Sequence, residues 1–226
     1  LLKLLRDWDN PPVMGAVVNG ELRELTYTVE MDVRVRLVTM EDDDGARIYR
    51  RSITFLLEAA FEDLFPGVLM TLDHSVSAGG YFCQIADREP LTEDDLQRLL
   101  ARMREMVDAD LPFERQLVPL NEAIAYFESK GLNDKVQLLK YRQKEYLVLY
   151  RLGDHQDYHH GYMVPSTGYL RWIGLESVGE GFVLRFPRRG SPKTIEPMPR
   201  YPKLLSTFRQ YGYWLQRLGI DSVGAL

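Results

Sequence analysis

Apolar and polar positions change period along this chain, and each change marks an element. LLKLLRDW (1–8) reads as the end of an amphipathic helix. Asn10-Pro11-Pro12 stops it, because proline lacks an N–H and constrains the residue before it. VMGAVVNGEL (13–22) carries Asn19-Gly20, a pair favoured in the type I′ turn between two strands. Val33, Val35 and Leu37 alternate with Arg34, Arg36 and Val38, the period of a half-buried strand. The acidic turn Glu41-Asp42-Asp43-Asp44-Gly45 closes this small β-rich unit.

The period then becomes helical. Ile53, Leu56, Leu57, Ala60, Phe61 and Leu64 predict a helix over 47–64, ended by Pro66-Gly67. Apolar runs at 68–72 and 81–85 predict paired strands around Ser77-Ala78-Gly79-Gly80. Thr92 caps a second helix whose first turn is acidic, matching the positive end of the helix dipole. Its apolar face is Leu96, Leu99, Leu100, Met103 and Val107, with the methionines as core filler. Next come a strand over 113–118, a helix over 121–130 ended by Gly131, and a short helix near 133–140. Strands are predicted over 145–152, 168–175 and 181–186, and a last helix over 202–217. The strand pairs read as hairpins rather than βαβ crossovers, so the fold class is α+β.

Composition narrows the function classes. The chain has 226 residues, 45% hydrophobic and 27% charged, which excludes a mostly disordered chain, a collagen or a coiled coil. No apolar run approaches the roughly 20 residues of a membrane span. The net charge of −5 argues against tRNA or another nucleic acid as a partner. The single cysteine, Cys83, excludes an internal disulfide and a CxxC metal site, and fits a cytoplasmic location. A start at Leu1 without methionine reads as a chain trimmed at the front.

Candidate chemistry is sparse. Gly190-Ser191-Pro192-Lys193-Thr194 fails as a phosphate-binding loop, because proline stands where the second glycine must be. Asp73-His74-Ser75 holds the letters of a hydrolase triad, but adjacent residues cannot converge as a triad does. A turn between strands is the preferred reading there. Asp154-His155-Gln156-Asp157-Tyr158-His159-His160 holds three of the four histidines. On an extended strand His155, Asp157 and His159 would face one way and could hold zinc with an open position. The preferred reading is a polar loop with exposed histidines and no metal. From 181 to 217 there are eight basic residues (Arg185, Arg188, Arg189, Lys193, Arg200, Lys203, Arg209 and Arg217) opposed only by Glu196. Interleaved aromatics allow phosphate or RNA contact, although arginines coating a helix over inward aromatics read better.

Several strings carry a family resemblance. AVVNGELRELTYTVEMDVRVRLV (16–38) resembles the second half of a TGS domain, the ubiquitin-like β-grasp module of threonyl-tRNA synthetases. The first hairpin of such a domain is missing. The long helix with Arg50-Arg51-Ser52, followed by LTEDDLQRLLARMREMVDADLPFERQLVPLNEAIAYFESKG (91–131), resembles the second additional domain of those enzymes. The resemblance implies a partial TGS unit over 1–44 and a synthetase editing-like domain over 45–226. The family's domain removes mischarged serine from tRNA with two histidines four apart on the long helix and a cysteine and histidine around a glycine turn. Here those positions fall on Arg51, Phe55, His159 and Met163 around Gly161, so only His159 retains a coordinating or proton-transferring group.

YRRSITFLLEAAF (49–61), DHSVSAGGYFC (73–83), HGYMVPSTGYL (160–170) and GFVLRFPR (181–188) also resemble the N-terminal region of bacterial uridine kinase-like proteins. That resemblance implies a non-catalytic ligand-binding or regulatory region ahead of its own C-terminal P-loop kinase domain. ATP and Mg would belong to that domain and no cofactor to this chain; a homodimer is compatible with it. The ligand would be a small anion or nucleoside, in a vestigial cleft lined by Arg51, His74, Tyr81, His159 and His160. The alternative is a diverged aminoacyl-tRNA deacylase, with metal assistance through His155, Asp157 and His159.

Overall fold

The computed structural model describes residues 10–85 and 89–198, with a few isolated positions between 207 and 219. The helix expected over 1–8 lies outside the described residues, as does nearly all of that expected over 202–217. The chain divides into two compact units. One holds 1–114 and 150–197, the other 115–149 and 198–226.

In the first unit, β1 (Val13–Val18) is the centre of a sheet in the order β2 (Glu21–Arg23), β1, β3 (Val35–Thr39). Both pairings are antiparallel. Asn19 and Gly20 take φ of 49° and 89°, the left-handed pair that a type I′ turn demands. The Asn19 side chain also accepts a hydrogen bond from the Arg34 backbone N–H. The alternation expected in β3 does not hold, since Arg34 and Arg36 are exposed along with their apolar neighbours. Val35 and Leu37 are exposed while Val38 is fully buried. The reason is the position of α1 (Asp43–Leu64): Val38 pairs with Gly15, and a Cβ on Gly15 would lie 3.0 Å from Ile48 Cδ1 of that helix. Only the Gly15 and Val38 face is covered, so its neighbours point to solvent.

Helix α1 is the centre of this unit. Ile48, Tyr49, Ile53, Phe55, Leu56, Leu57 and Ala60 are all essentially inaccessible to solvent, so apolar groups surround most of its girth. Gly45 allows its first turn to enter, since a Cβ there would sit 1.8 Å from the Thr39 carbonyl oxygen. The second sheet runs β4 (Met70–Val76), β5 (Gly80–Ile85), β10 (Gly181–Arg185), β9 (Gly174–Val178), antiparallel throughout. Asp73-His74-Ser75 is not a turn: it lies inside β4, with a bulge between Leu72 and His74.

Helix α2 (Glu93–Asp108) begins as expected. Thr92 and Asp95 form a reciprocal capping box. Leu96, Leu99, Met103 and Met106 are its buried residues. The strand expected over 168–175 starts only at Gly174, after a 3-10 turn at Thr167–Tyr169. The Thr167 N–H donates to the Leu111 carbonyl, its hydroxyl accepts from the Leu111 N–H, and the hydroxyl donates to the Met106 carbonyl. These bonds tie this backbone to the end of α2 rather than to a strand ladder.

The second unit contains α3 (Leu120–Ser129) and α4 (Asn133–Lys140), packed on each other through buried Ala123, Phe127, Val136 and Leu139. Gly131 joins them at φ 71°. The remaining strands are β6 (Glu114–Pro119), β7 (Tyr146–Leu152) and β8 (His155–Tyr158), in that order in a third sheet, with β8 a part of the first unit. The architecture is α+β, built from small antiparallel sheets and helices. No described helix is long and apolar enough to cross a membrane.

Candidate functional site

Three arginines on one face of α1 open the site. Arg47, Arg50 and Arg51 recur at helical spacing with Thr54 a turn further on, and β4 and β5 lie opposite. Together with Leu72, Asp73, His74 and Ser75 of β4, Tyr81 of β5, and His159 they line a cleft of about 460 Å³. Four of the five residues expected to share a pocket, Arg51, His74, Tyr81 and His159, therefore meet in one cavity. His160 does not line it. It is exposed, with Nε2 2.6 Å from the Tyr158 hydroxyl, because alternation along extended backbone turns His159 inward and its neighbour outward.

Arg51 is half-buried and is held rigidly. Its Nη1 donates to the Tyr162 carbonyl, and a Cβ at Gly161 would lie 2.8 Å from its Nη2. Gly161 has φ 96°, and the Tyr150 hydroxyl donates to its carbonyl at 3.3 Å. A glycine is thus needed twice over, for its backbone and for the space the guanidinium fills. Burial lowers the Arg51 pKa, yet guanidinium remains a cation at neutral pH. Next to Arg51, the Ser52 hydroxyl donates to the Ile48 carbonyl and accepts from the Val164 N–H, tying α1 to the 161–164 segment.

His159, which lines the cleft, also belongs to a second cluster. His159 Nε2 is 3.3 Å from Glu58 Oε2, and His155 Nδ1 is 2.6 Å from Glu62 Oε2. Phe55 sits edge-on to both imidazoles, with centroids 4.9 Å from His155 and 5.4 Å from His159. The expected polar loop with exposed histidines is corrected here: the His155 and His159 side chains are only 14% and 18% exposed. Helix α1 covers that face of β8. Burial by itself would raise the Glu58 pKa, but the His155 and His159 imidazoles outweigh it and bring it to about 2. His155 is raised: burial opposes its charge, and the Glu58 and Glu62 carboxylates overcome that.

Glu58 and Glu62 were not legible in the sequence as site residues. Their only signal is the four-residue spacing on α1, which equally describes a solvated helix face. The basic stretch after 181 is also corrected in part. Arg185 is buried, pairs with Glu176, and donates to the Gly79, Ala78 and Glu196 carbonyls. Arg188 meets Glu196, and Arg189 meets Asp43. Buried or paired guanidinium groups satisfy the protein's own acceptors before they can reach a phosphate.

No protein-family model matches the chain. Among curated proteins it is similar to threonine–tRNA ligases. It is 36% identical to that of Maricaulis maris over 154 residues, which is 68% of this chain and 24% of the relative. It is 33% identical to that of Aromatoleum aromaticum over 170 residues, 75% of this chain and 26% of the relative. The threonine–tRNA ligase of Laribacter hongkongensis is 36% identical over 166 residues, 73% of this chain and 26% of the relative. The chain spans about a quarter of the length of the curated relatives it matches. Most of it is a threonyl-tRNA synthetase-like region. The uridine kinase expectation is corrected by the same finding, since these relatives are all named as ligases and none as a kinase.

Proposed function

We propose that the α1–β4–β5 cleft is an aminoacyl-tRNA editing-type pocket that takes the aminoacylated 3′ end of a tRNA and hydrolyses its ester. One observation carries this reading: Arg51, His74, Tyr81 and His159 converge on one cavity within a threonyl-tRNA synthetase-like region. The three arginines supply positive charge for the phosphates of a terminal nucleotide. Tyr81, with its ring edge against Phe186 at 5.2 Å, offers a fixed aromatic surface for a base or sugar.

The chemistry differs from that of the family the sequence resembles. Arg51 and Phe55 stand where that family has its helix histidines, and Met163 where it has the last one. The remaining proton acceptor is His159, oriented by Glu58. A carboxylate at one ring nitrogen fixes the orientation of the imidazole, and the other nitrogen can then take a proton from a water attacking the ester. The proton passes next to the leaving ribose oxygen, giving a free amino acid and an unacylated 3′ end. Arg51, a fixed cation, would steady the developing oxyanion.

The loss of three of those four groups favours a second reading, a cleft that binds a small anionic ligand without chemistry. Ester loss from seryl-tRNA and threonyl-tRNA, measured with the purified chain and with His159→Ala, separates the two. Faster serine release than in buffer, abolished in His159→Ala, supports editing. Saturable binding of the tRNA or of a nucleotide without release supports the second reading. Neither binding nor release overturns both.

A further inference from the structure

We infer that Glu58, Asp157 and His159, with His155 as a fourth ligand, form a binding site for one divalent transition-metal ion of the zinc class. The site lies beneath the cleft, between α1 and β8. It shares Glu58 and His159 with the function proposed above, and an ion held between them would replace their direct contact; zinc binding is therefore read by itself and not through ester release.

The geometry suits such an ion. One ligand atom each from Glu58, Asp157 and His159 lie within 4.8 Å of one another. Tetrahedral zinc holds nitrogen and oxygen donors at about 2.0–2.2 Å, which places any two donors about 3.3–3.5 Å apart. The Glu58 and His159 atoms stand at 3.3 Å, and the Glu58 and His155 atoms at 3.8 Å. Asp157 completes the three-residue group, and side-chain rotation would bring His155 in as the fourth donor. Two imidazoles and two carboxylates are a donor combination typical of zinc, and the charge of the two carboxylates cancels that of the ion.

The second observation is His155 itself. Its Nδ1 is engaged by Glu62 Oε2 at 2.6 Å, so Nε2 is the nitrogen turned toward Glu58. That atom is buried, has no hydrogen-bond partner among the described residues, and faces the Glu58 carboxylate. An ion bound there would take the place of the proton that the two flanking carboxylates otherwise favour on the imidazole. A carboxylate holding the far nitrogen of an imidazole is also the usual support of a histidine metal ligand. Phe55, edge-on to both rings, keeps them from turning away. Asp157, on β8 with His155, is buried to 6% exposure.

The test uses the whole chain, stripped with chelator and titrated with zinc alone by calorimetry, with thermal unfolding measured in parallel. One ion per chain is expected, with a higher unfolding temperature. Glu58→Gln and His159→Gln should each weaken binding at least tenfold, and Glu62→Gln, which only supports His155, by about tenfold. Arg51→Met, in the cleft but outside the donor set, should leave zinc affinity unchanged. Cobalt substitution of the wild-type chain gives a readout that survives any variant that fails to fold. Visible bands of a four- or five-coordinate nitrogen and oxygen site support the proposal. A thiolate charge-transfer band would place the ion at Cys83 and overturn it. So would the absence of saturable binding, or binding untouched by both Glu58→Gln and His159→Gln.

Discussion

The Arg51 guanidinium lies against the backbone of Gly161, and the gap between them is smaller than a methyl group. A Cβ at position 161 would approach Arg51 Nη2 to 2.8 Å and Cζ to 2.9 Å. The contact joins the helix that carries the cleft's positive charge to the loop that carries His159. It also explains why an arginine can stand on α1 where the editing resemblance expects a histidine: the turn at 161 leaves it a berth and the Tyr162 carbonyl an acceptor for it.

Gly161→Ala is therefore expected to act in two ways. The left-handed backbone (φ 96°) costs about 1–3 kcal/mol for a residue with a side chain, readable as a lower urea midpoint. The new methyl displaces the guanidinium, so binding of nucleotide or tRNA ligands should weaken beyond the stability loss. A variant with unchanged stability and unchanged ligand binding would show that the Arg51–Gly161 contact is not formed.

Ser52→Ala tests the tie between α1 and the loop. The buried Val164 N–H would lose its acceptor, with an expected cost of about 1–3 kcal/mol in chemical denaturation. Faster amide exchange at Val164 should accompany it. Wild-type protection there would mean that the N–H finds another partner.

Cys83 should be chemically silent in the folded chain. It is fully buried, and burial pushes its thiol up to about 12. A thiol-specific reagent at pH 8 should leave it unmodified until denaturant is added, then react with one thiol per chain. Rapid labelling of native protein would contradict its place in β5.

Asp42 gives a pH dependence with a definite sign. Its carboxylate accepts from the Thr39 N–H at 2.8 Å and from Arg36 at 3.1 Å. The Thr39 N–H, opposed by partial burial and helped by Arg36, lowers its pKa. A depressed folded pKa stabilises the native state above the unfolded value of about 3.9 and is lost as pH falls through the lower folded value. Asp42→Asn should thus unfold at lower temperature than wild type at pH 7. The two should converge only once the pH has fallen below the lowered folded pKa, where the carboxyl is protonated in both states. A gap that persists into acid would assign the effect to packing instead of charge.

Local patterns along the chain were enough for most elements. Asn19-Gly20 names its turn because few residue pairs accept two positive φ angles. Thr92 and Asp95 name their helix start because their side chains satisfy each other's backbone three residues apart. The periodicity of α1 was legible because one helix buries nearly its whole girth. Where a partner decided, local pattern was misleading. The residues of β3 alternate in sequence, yet Val35, Arg36 and Leu37 are all exposed and Val38, on the face that Ile48 of α1 meets, is the buried one. The 168–175 segment has strand-like residues, yet Thr167 commits its backbone to Leu111. Three of the four histidines, clustered in the sequence, announced a polar segment, and the burial of His155 and His159 comes from α1 lying over β8.

The same division runs through the site. Sequence alone brought out Arg51, His74, Tyr81 and His159 as candidates and the α+β class, because spacing and family resemblance are properties of the chain. It could not bring Glu58 and Glu62 to His155 and His159, which lie about a hundred residues further on. Nor could it send His160 outward or bury Arg185 among carbonyls. Those outcomes depend on which surfaces meet, and a carboxylate on a helix carries no mark of its partner until packing removes the water between them.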